Sequence, residues 1–202
     1  MTLAEKEWIE ISLHQVVLTW LRGERKTHIR PLVPQFTRIP WTVLSPRISE
    51  LLDRPDLESA NENRARLRLL YIIRSKFMGE IPPDTRWYEV RNLTYGDLAE
   101  LRAVNFHTWT DPQDKNELAN VAARKNLPLR AEPAKWEKPI LWGHTTAGPF
   151  TIIEGNNRLT SYVASGDTGI NIPIIVGLSE LHCIWHILDQ CDSVLLYDLM
   201  RD

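Results

Sequence analysis

The stretch Phe150-Thr151-Ile152-Ile153-Glu154-Gly155-Asn156-Asn157-Arg158-Leu159 has the pattern of a buried β-strand that turns directly into a helix. Residues 150–153 are aromatic or β-branched, as is typical of strands. Gly155 allows a sharp turn of the backbone, and an asparagine after it can cap a helix. The sequence therefore predicts a strand over 150–153 and a helix over 157–165. We call residues 154–158 the motif corner.

Further elements are predicted on both sides of the motif corner. Apolar or β-branched runs at 87–90, 139–142 and 172–176 predict three more strands, the second joined to 150–153 by a loop that contains His144. Helices are expected over 93–104 and 114–126. The fold class that follows is α+β, with a small mixed sheet.

The N-terminal part of the chain has a different texture. Apolar residues spaced by three and four predict amphipathic helices over 3–22 and 57–78, and a proline-rich stretch over 24–46 predicts an irregular or short-stranded connection. Residues 178–202 predict an acidic helical tail. We therefore expect a helical N-terminal extension over residues 1–84 and an α+β domain with a C-terminal helix over residues 85–202.

Composition excludes several classes of protein. The 202 residues are 43% hydrophobic, and 24 Lys and Arg oppose 26 Asp and Glu, which argues against a disordered chain and against a strongly basic nucleic-acid protein. Two cysteines are too few for a disulfide framework. The chain shows neither a signal peptide nor an apolar run long enough to span a membrane. The sequence thus predicts a cytoplasmic protein without membrane contact.

The motif corner carries the residues from which a phosphate site can be built. The first amides of a helix bind anions, and Arg158 offers a planar fork that suits phosphate. Glu154 can hold Mg²⁺ or accept a proton, and His144 can supply an imidazole if its loop reaches the corner. The alternative is a plain capped corner in which Glu154 and Arg158 pair with each other.

The strands at 139–142, 150–154 and 172–176, with the Glu-Gly-Asn-Asn-Arg corner between them, resemble the ParB/sulfiredoxin superfamily over roughly residues 87–178. The resemblance implies a fold that binds a nucleoside triphosphate with Mg²⁺. It also implies that the protein is a transferase or hydrolase, acting as a nucleotide-dependent phosphotransferase or as a nucleotide hydrolase. Glu154 would then act as metal ligand or general base, Gly155 to Asn157 would bind phosphate, and Arg158 would neutralise its charge. Sulfiredoxin chemistry requires a cysteine at this corner, and the chain has none there. Asn157 stands where kinase-like members have a histidine.

Other interpretations stay open. The absence of the motif histidine favours a non-catalytic module of the same fold that binds a protein or nucleic acid, with a basic helix over 57–78 and the acidic tail as contact surfaces. A weaker resemblance to the Fic adenylyltransferase motif lacks the Fic histidine, because Gly148 stands in its place. His182 and His186, and the polar loop with His107, Asp111 and Asp114, are further candidate sites.

Overall fold

The computed structural model describes residues 3–93, 101–103, 137–147, 150–165 and 172–181. Contacts divide the chain into two compact units. One comprises residues 10–83, which we call the helical unit, and the other comprises residues 1–9 together with 84–202, which we call the sheet unit.

A mixed sheet surrounds the motif corner. Its six described strands lie in the order β1-β2-β6-β4-β5-β3. They are β1 (Trp8–Ile11), β2 (Arg86–Leu93), β3 (Leu101–Ala103), β4 (Ile140–Gly143), β5 (Phe150–Glu154) and β6 (Ile172–Leu178). β4 and β5 form an antiparallel hairpin, β6 runs parallel to β4 and antiparallel to β2, and β3 runs parallel to β5. The expected mixed sheet and the α+β class are therefore confirmed.

One helix follows β5 directly. This helix, α5, spans Asn156–Ser165, and its residues Leu159 and Tyr162 are buried against the sheet. The cluster that they join draws on four strands: Val90, Leu93, Leu141, Phe150, Ile152, Ile172, Ile174 and Val176. Burying these side chains together stabilises the sheet unit and fixes the direction in which α5 leaves β5.

A glycine permits close packing between β2 and β6. Gly177 lies opposite Trp87, and a Cβ atom at Gly177 would come within 2.7 Å of the Trp87 ring. The indole thus occupies the space that a side chain at Gly177 would need. This contact helps to set the register of the two strands.

The helical unit contains α1 (Leu13–Glu24), a π-helical turn (Arg25–Ile29), α2 (Arg30–Thr37), α3 (Trp41–Asp53) and α4 (Ala60–Glu80). Ser12 caps α1 in a capping box with Gln15, and Ser59 caps α4. α4 is bent, because Arg74 has the non-helical backbone angles φ −141° and ψ 31°. The helix predicted over 57–78 is confirmed with small changes at its ends.

Two predictions for the N-terminal part are wrong. Residues 8–11 form a strand instead of a helix, since Glu7 accepts a backbone hydrogen bond from Arg91 and Trp8 packs edge-on against Tyr88. The proline-rich stretch is mostly helical. Pro31 lies in the first turn of α2 and Pro40 is the N-cap of α3, where no amide donor is needed, whereas Pro34 and Pro46 lie inside α2 and α3 and each removes one backbone donor.

The remaining expectations have mixed outcomes. The strands predicted at 87–90, 139–142, 150–153 and 172–176 and the helix at 157–165 are confirmed. The helix predicted over 93–104 is wrong at both ends, where Leu93 ends β2 and residues 101–103 form β3. The helix expected over 114–126, and the tail beyond residue 181, lie outside the described residues.

Candidate functional site

The motif corner lies at the C-terminal end of β5. Glu154 ends the strand opposite Ile140, and Gly155 then turns the chain into α5 with a φ of +91°. A Cβ atom at position 155 would lie 3.0 Å from Cβ and 3.1 Å from Cα of Pro139. Both the backbone angle and the crowding therefore demand glycine here, which is the reason that this residue stands at the start of the helix.

Arg158 holds the motif corner together. Its guanidinium donates hydrogen bonds to the Glu154 carboxylate and to the backbone carbonyl of Glu137, and both members of the ion pair are mostly buried. Arg158 thus connects the first turn of α5 to the segment that precedes β4. This arrangement is the pairing that the sequence left open as the alternative to a phosphate site.

The two asparagines have different surroundings. The Asn156 carbonyl accepts a hydrogen bond of 2.7 Å from the Thr160 hydroxyl, whereas the side chain of Asn157 is exposed. Within the described part of the chain, the Asn156 side-chain oxygen is buried and has no hydrogen-bond partner. Because Gly155 has no side chain, it cannot cap the first amides of α5. The corner therefore combines the first turn of a helix that follows a glycine with a buried acceptor oxygen that has no partner among the described residues.

His144 lies away from the motif corner. In the β4–β5 hairpin Ile140 is opposite Glu154 and Gly143 is opposite Phe150, so His144 follows the far end of the hairpin. About 13 Å of strand separates that end from Glu154 at roughly 3.3 Å per residue. The structure does not bring the exposed His144 side chain to the corner, and the expectation that its loop reaches over the site is not met.

A second ionic cluster lies in the same row of residues across the sheet as Glu154. In this row Glu89 pairs with Ile175, Ile175 with Ile140 and Ile140 with Glu154. The Glu89 carboxylate of β2 accepts hydrogen bonds from Lys138 and from Arg91, the latter at 2.9 Å. Burial raises the pKa of Glu89, but the hydrogen bonds and charges of Lys138 and Arg91 together lower the pKa by more than burial raises it, so that the net shift is downward. Lys138 lies beside Pro139, whose carbonyl accepts from Ile175 at 2.8 Å, and this places the cluster next to the motif corner.

The sequence interpretation missed this cluster because Glu89 and Lys138 are 49 positions apart. Opposite charges at that separation are too common in a sequence to predict a contact. Only the alignment of β2, β6 and β4 brings the two residues together.

The helical unit contains a third polar network, which was also missed. The Glu24 carboxylate is buried and accepts hydrogen bonds from Arg74 Nε at 2.6 Å, from Thr27 at 3.0 Å and from His28 Nδ1. It lies directly before the π-helical turn, and Arg74 is the residue at which α4 bends. The ion pair therefore joins the start of the π-helical turn to the bend in α4, and both places depart from regular α-helix.

The basic helix face expected on α4 is not formed as predicted. Arg66 is fully buried and donates to Glu62, to Asn63 and to the carbonyls of Leu51 and Asp56. Arg74 pairs with Glu24, while Arg64 and Arg68 are exposed. Two of the arginines thus hold the helical unit together, and the surface that nucleic acid would contact on this helix is reduced accordingly.

Metal binding has limited support in the described residues. They contain no group of three or more His, Cys, Asp or Glu side chains that could surround an ion. Mg²⁺ needs one or two protein carboxylates when substrate phosphates supply the other ligands, and Glu154 fits that requirement only in the presence of a phosphate. The candidates His182, His186, His107, Asp111 and Asp114 lie outside the described residues.

Comparison of the chain with protein-family models, with curated proteins and with solved structures gave no match. None of the helices in the described part of the chain combines the length and the apolar composition that crossing a membrane requires.

Proposed function

We propose that the motif corner binds the phosphate group of a small molecule or nucleotide. The observation that carries the proposal is the start of α5 at a buried glycine with φ +91°, a residue that has no side chain of its own to cap the helix. The first amides of a helix, together with the helix dipole, attract an anion. The resemblance of this corner to the ParB/sulfiredoxin superfamily supports the same ligand class.

Each residue of the corner has a role in this proposal. The backbone amides from Gly155 to Asn157 bind the phosphate oxygens, and Arg158 neutralises their charge. Because Arg158 is paired with Glu154, binding of phosphate requires Arg158 to exchange a carboxylate for a phosphate. The exchange releases Glu154, whose carboxylate then becomes available to hold Mg²⁺ or to accept a proton from a substrate hydroxyl.

A nucleoside triphosphate with Mg²⁺ is the proposed ligand, and phosphoryl transfer or hydrolysis is the proposed reaction class. Such reactions depend mainly on positioning and charge neutralisation, which backbone amides, an arginine and a metal-binding carboxylate provide. Asn157 cannot act as an acid or a base. Proton transfer in this proposal therefore rests on Glu154.

A thermal-shift and calorimetry series tests the proposal. ATP, CTP, GTP and inorganic phosphate are compared with and without Mg²⁺, and a ligand at 100 times its Kd is expected to stabilise the chain by about 2.7 kcal/mol. Arg158→Ala should abolish the effect, whereas Arg64→Ala, which changes an exposed arginine of the helical unit, should preserve it. Unchanged binding by Arg158→Ala would overturn the assignment of the site.

A second candidate function is a non-catalytic binding module of the same fold. The observation that favours it is the engagement of Arg158 by both Glu154 and the Glu137 carbonyl, which makes the motif a structural clamp. In that case no nucleotide stabilises the chain, and Arg158→Ala lowers thermal stability without changing any ligand response. Nucleotide binding without measurable turnover would instead support the phosphate site and contradict the proposed reaction class.

A further inference from the structure

The turn between α2 and α3 exposes an unusual amount of apolar surface. Phe36 is 66% exposed, Val43 is 54% exposed and Ile39 is 40% exposed. Six large hydrophobic side chains are exposed among the described residues, and these three lie within a single short stretch of sequence. Isolated apolar residues on a surface need no explanation, but a local concentration of them marks a contact surface.

The charge of the same region is mostly positive, and its acidic neighbour is the exposed Glu50, one helical turn after Arg47 on α3. Residues 25–49 contain no Asp or Glu, and their cations are Arg25, Lys26, Arg30, Arg38 and Arg47. Arg25 pairs with Asp53, whereas the other four side chains are exposed and form no ion pair with any described residue. We call Phe36, Arg38, Ile39, Val43 and Arg47 the α2–α3 surface.

Local geometry keeps these residues together. α2 ends where Arg38 adopts the left-handed conformation, with a φ of 59°, and Pro40 then begins α3. Phe36, Ile39 and Val43 therefore lie within or beside the turn that joins the two helices. Val43 and Arg47 are one helical turn apart on α3 and share a face.

We infer that the α2–α3 surface docks on an anionic lipid bilayer as a peripheral contact. Exposed aromatic and aliphatic side chains enter the boundary between headgroups and acyl chains, and neighbouring arginines bind the lipid phosphates and carboxylates. Phe36, Ile39 and Val43 are 40–66% exposed to solvent, so their apolar atoms are accessible for insertion. The inference is independent of the phosphate site at the motif corner.

Two other occupants fit the observations less well. A second copy of the chain, packed face to face on the same residues, would bring two sets of arginines together with only Glu50 of each copy to oppose them. A nucleic acid would use the arginines and could stack a base on Phe36, but Ile39 and Val43 offer neither hydrogen bonds nor a ring. A bilayer uses both the cations and the aliphatic side chains.

Vesicle co-sedimentation of the full chain tests the inference. Binding to phosphatidylcholine vesicles that contain roughly one third phosphatidylserine should exceed binding to pure phosphatidylcholine by about tenfold, and added salt should weaken it. Arg38→Glu with Arg47→Glu, and separately Phe36→Ser with Val43→Ser, should each lower this binding by about tenfold.

Matched control variants carry the same changes elsewhere on the helical unit. Arg64→Glu with Arg68→Glu alters two exposed arginines of α4, and Tyr71→Ser removes an aromatic ring that is 60% exposed. Both controls, and Arg158→Ala, should retain vesicle binding, and circular dichroism checks that each variant is folded. Equal loss in the control variants, absence of vesicle binding, or binding of duplex DNA in place of vesicles would each overturn the inference.

Discussion

The two units of the chain each contain an arginine–carboxylate pair, and the two pairs differ in range and in burial. In the helical unit Glu24 is 2% exposed and pairs with Arg74 across 50 positions of sequence. In the sheet unit Glu154 is 15% exposed and pairs with Arg158, one helical turn away. The first pair joins segments that are distant in sequence, whereas the second lies within one strand-to-helix turn.

The difference indicates where a ligand can replace a protein contact. Breaking the Glu24 pair leaves a buried carboxylate with only Thr27 and His28 as partners, which is costly. Breaking the Glu154 pair leaves a carboxylate that is 15% exposed, against 2% for Glu24, so the cost is smaller. Exchange of partners is therefore expected at the motif corner and not in the helical unit.

The largest expected effect comes from Arg74→Ala. Removing this guanidinium leaves the buried Glu24 carboxylate without its cation, and we expect the free energy of unfolding to fall by about 3–5 kcal/mol. Urea unfolding followed by circular dichroism measures the change. Arg64→Ala on the same helix serves as the control and should change stability by no more than about 0.5 kcal/mol. Similar losses in the two variants would show that the buried pair is not special.

Acid should weaken the helical unit through the same residue. Burial raises the pKa of Glu24, but the charge and hydrogen bonds of Arg74 and the contacts with His28 and Thr27 lower it below its ordinary value of 4.5. A lowered folded-state pKa contributes stability that is present above the unfolded value and is lost as the pH falls through the folded value. Unfolding measured between pH 7 and pH 3 should therefore show falling stability.

The matched variants for this titration are Glu24→Gln and Glu89→Gln. Glu24→Gln should remove more of the loss in acid than Glu89→Gln, because Lys138 and Arg91 are more exposed than Arg74. An unchanged pH dependence in Glu24→Gln would contradict the role of the buried pair.

Gly155→Ala should have an intermediate effect. A φ of +91° is strained for alanine, and its Cβ would lie 3.0 Å from Pro139, so we expect a loss of about 1–3 kcal/mol. Gly79→Ala is the control, since a Cβ there meets nothing within 4 Å and α4 gains helix propensity. If both substitutions prove neutral in thermal unfolding, the tight corner is not required.

Glu154→Gln should change stability least, by about 1 kcal/mol, because the glutamine side-chain oxygen can still accept a hydrogen bond from Arg158. The same substitution should strengthen binding of inorganic phosphate in the absence of Mg²⁺, since it removes the carboxylate that competes for Arg158. Calorimetry with phosphate measures this affinity, and Glu50→Gln, an exposed change on α3, is its control. A lower affinity in Glu154→Gln alone would contradict the proposed exchange of partners.

The elements around the motif corner could be predicted because their signals are local. Runs of apolar and β-branched residues predict β5 and β6, and Gly155 predicts the turn between β5 and α5. The Glu154–Arg158 pair is also a local expectation, because only four positions separate the end of the strand from the first turn of the helix. Such signals need no knowledge of the rest of the chain.

Predictions failed where a partner distant in sequence decides the structure. The amphipathic pattern of residues 3–22 predicts one helix, but Trp8 joins the sheet beside Tyr88 of β2. Proline content suggested an irregular chain between α1 and α3, although Pro31 and Pro40 lie where a helix tolerates them. The basic residues of the helix predicted over 57–78 are expected on a contact surface, yet Arg66 is fully buried. It donates to the carbonyls of Leu51 in α3 and of Asp56 in the α3–α4 connection.

The sequence by itself determined the α+β class, the hairpin and the strand-glycine-helix corner, because each depends on residues within a few positions of one another. The tertiary structure alone decided that Glu24 meets Arg74, that Lys138 meets Glu89 and that His144 lies at the far end of the hairpin from Glu154. These outcomes depend on strand order, register and helix bends. They are set by burial of the whole core, and no short stretch of sequence encodes them.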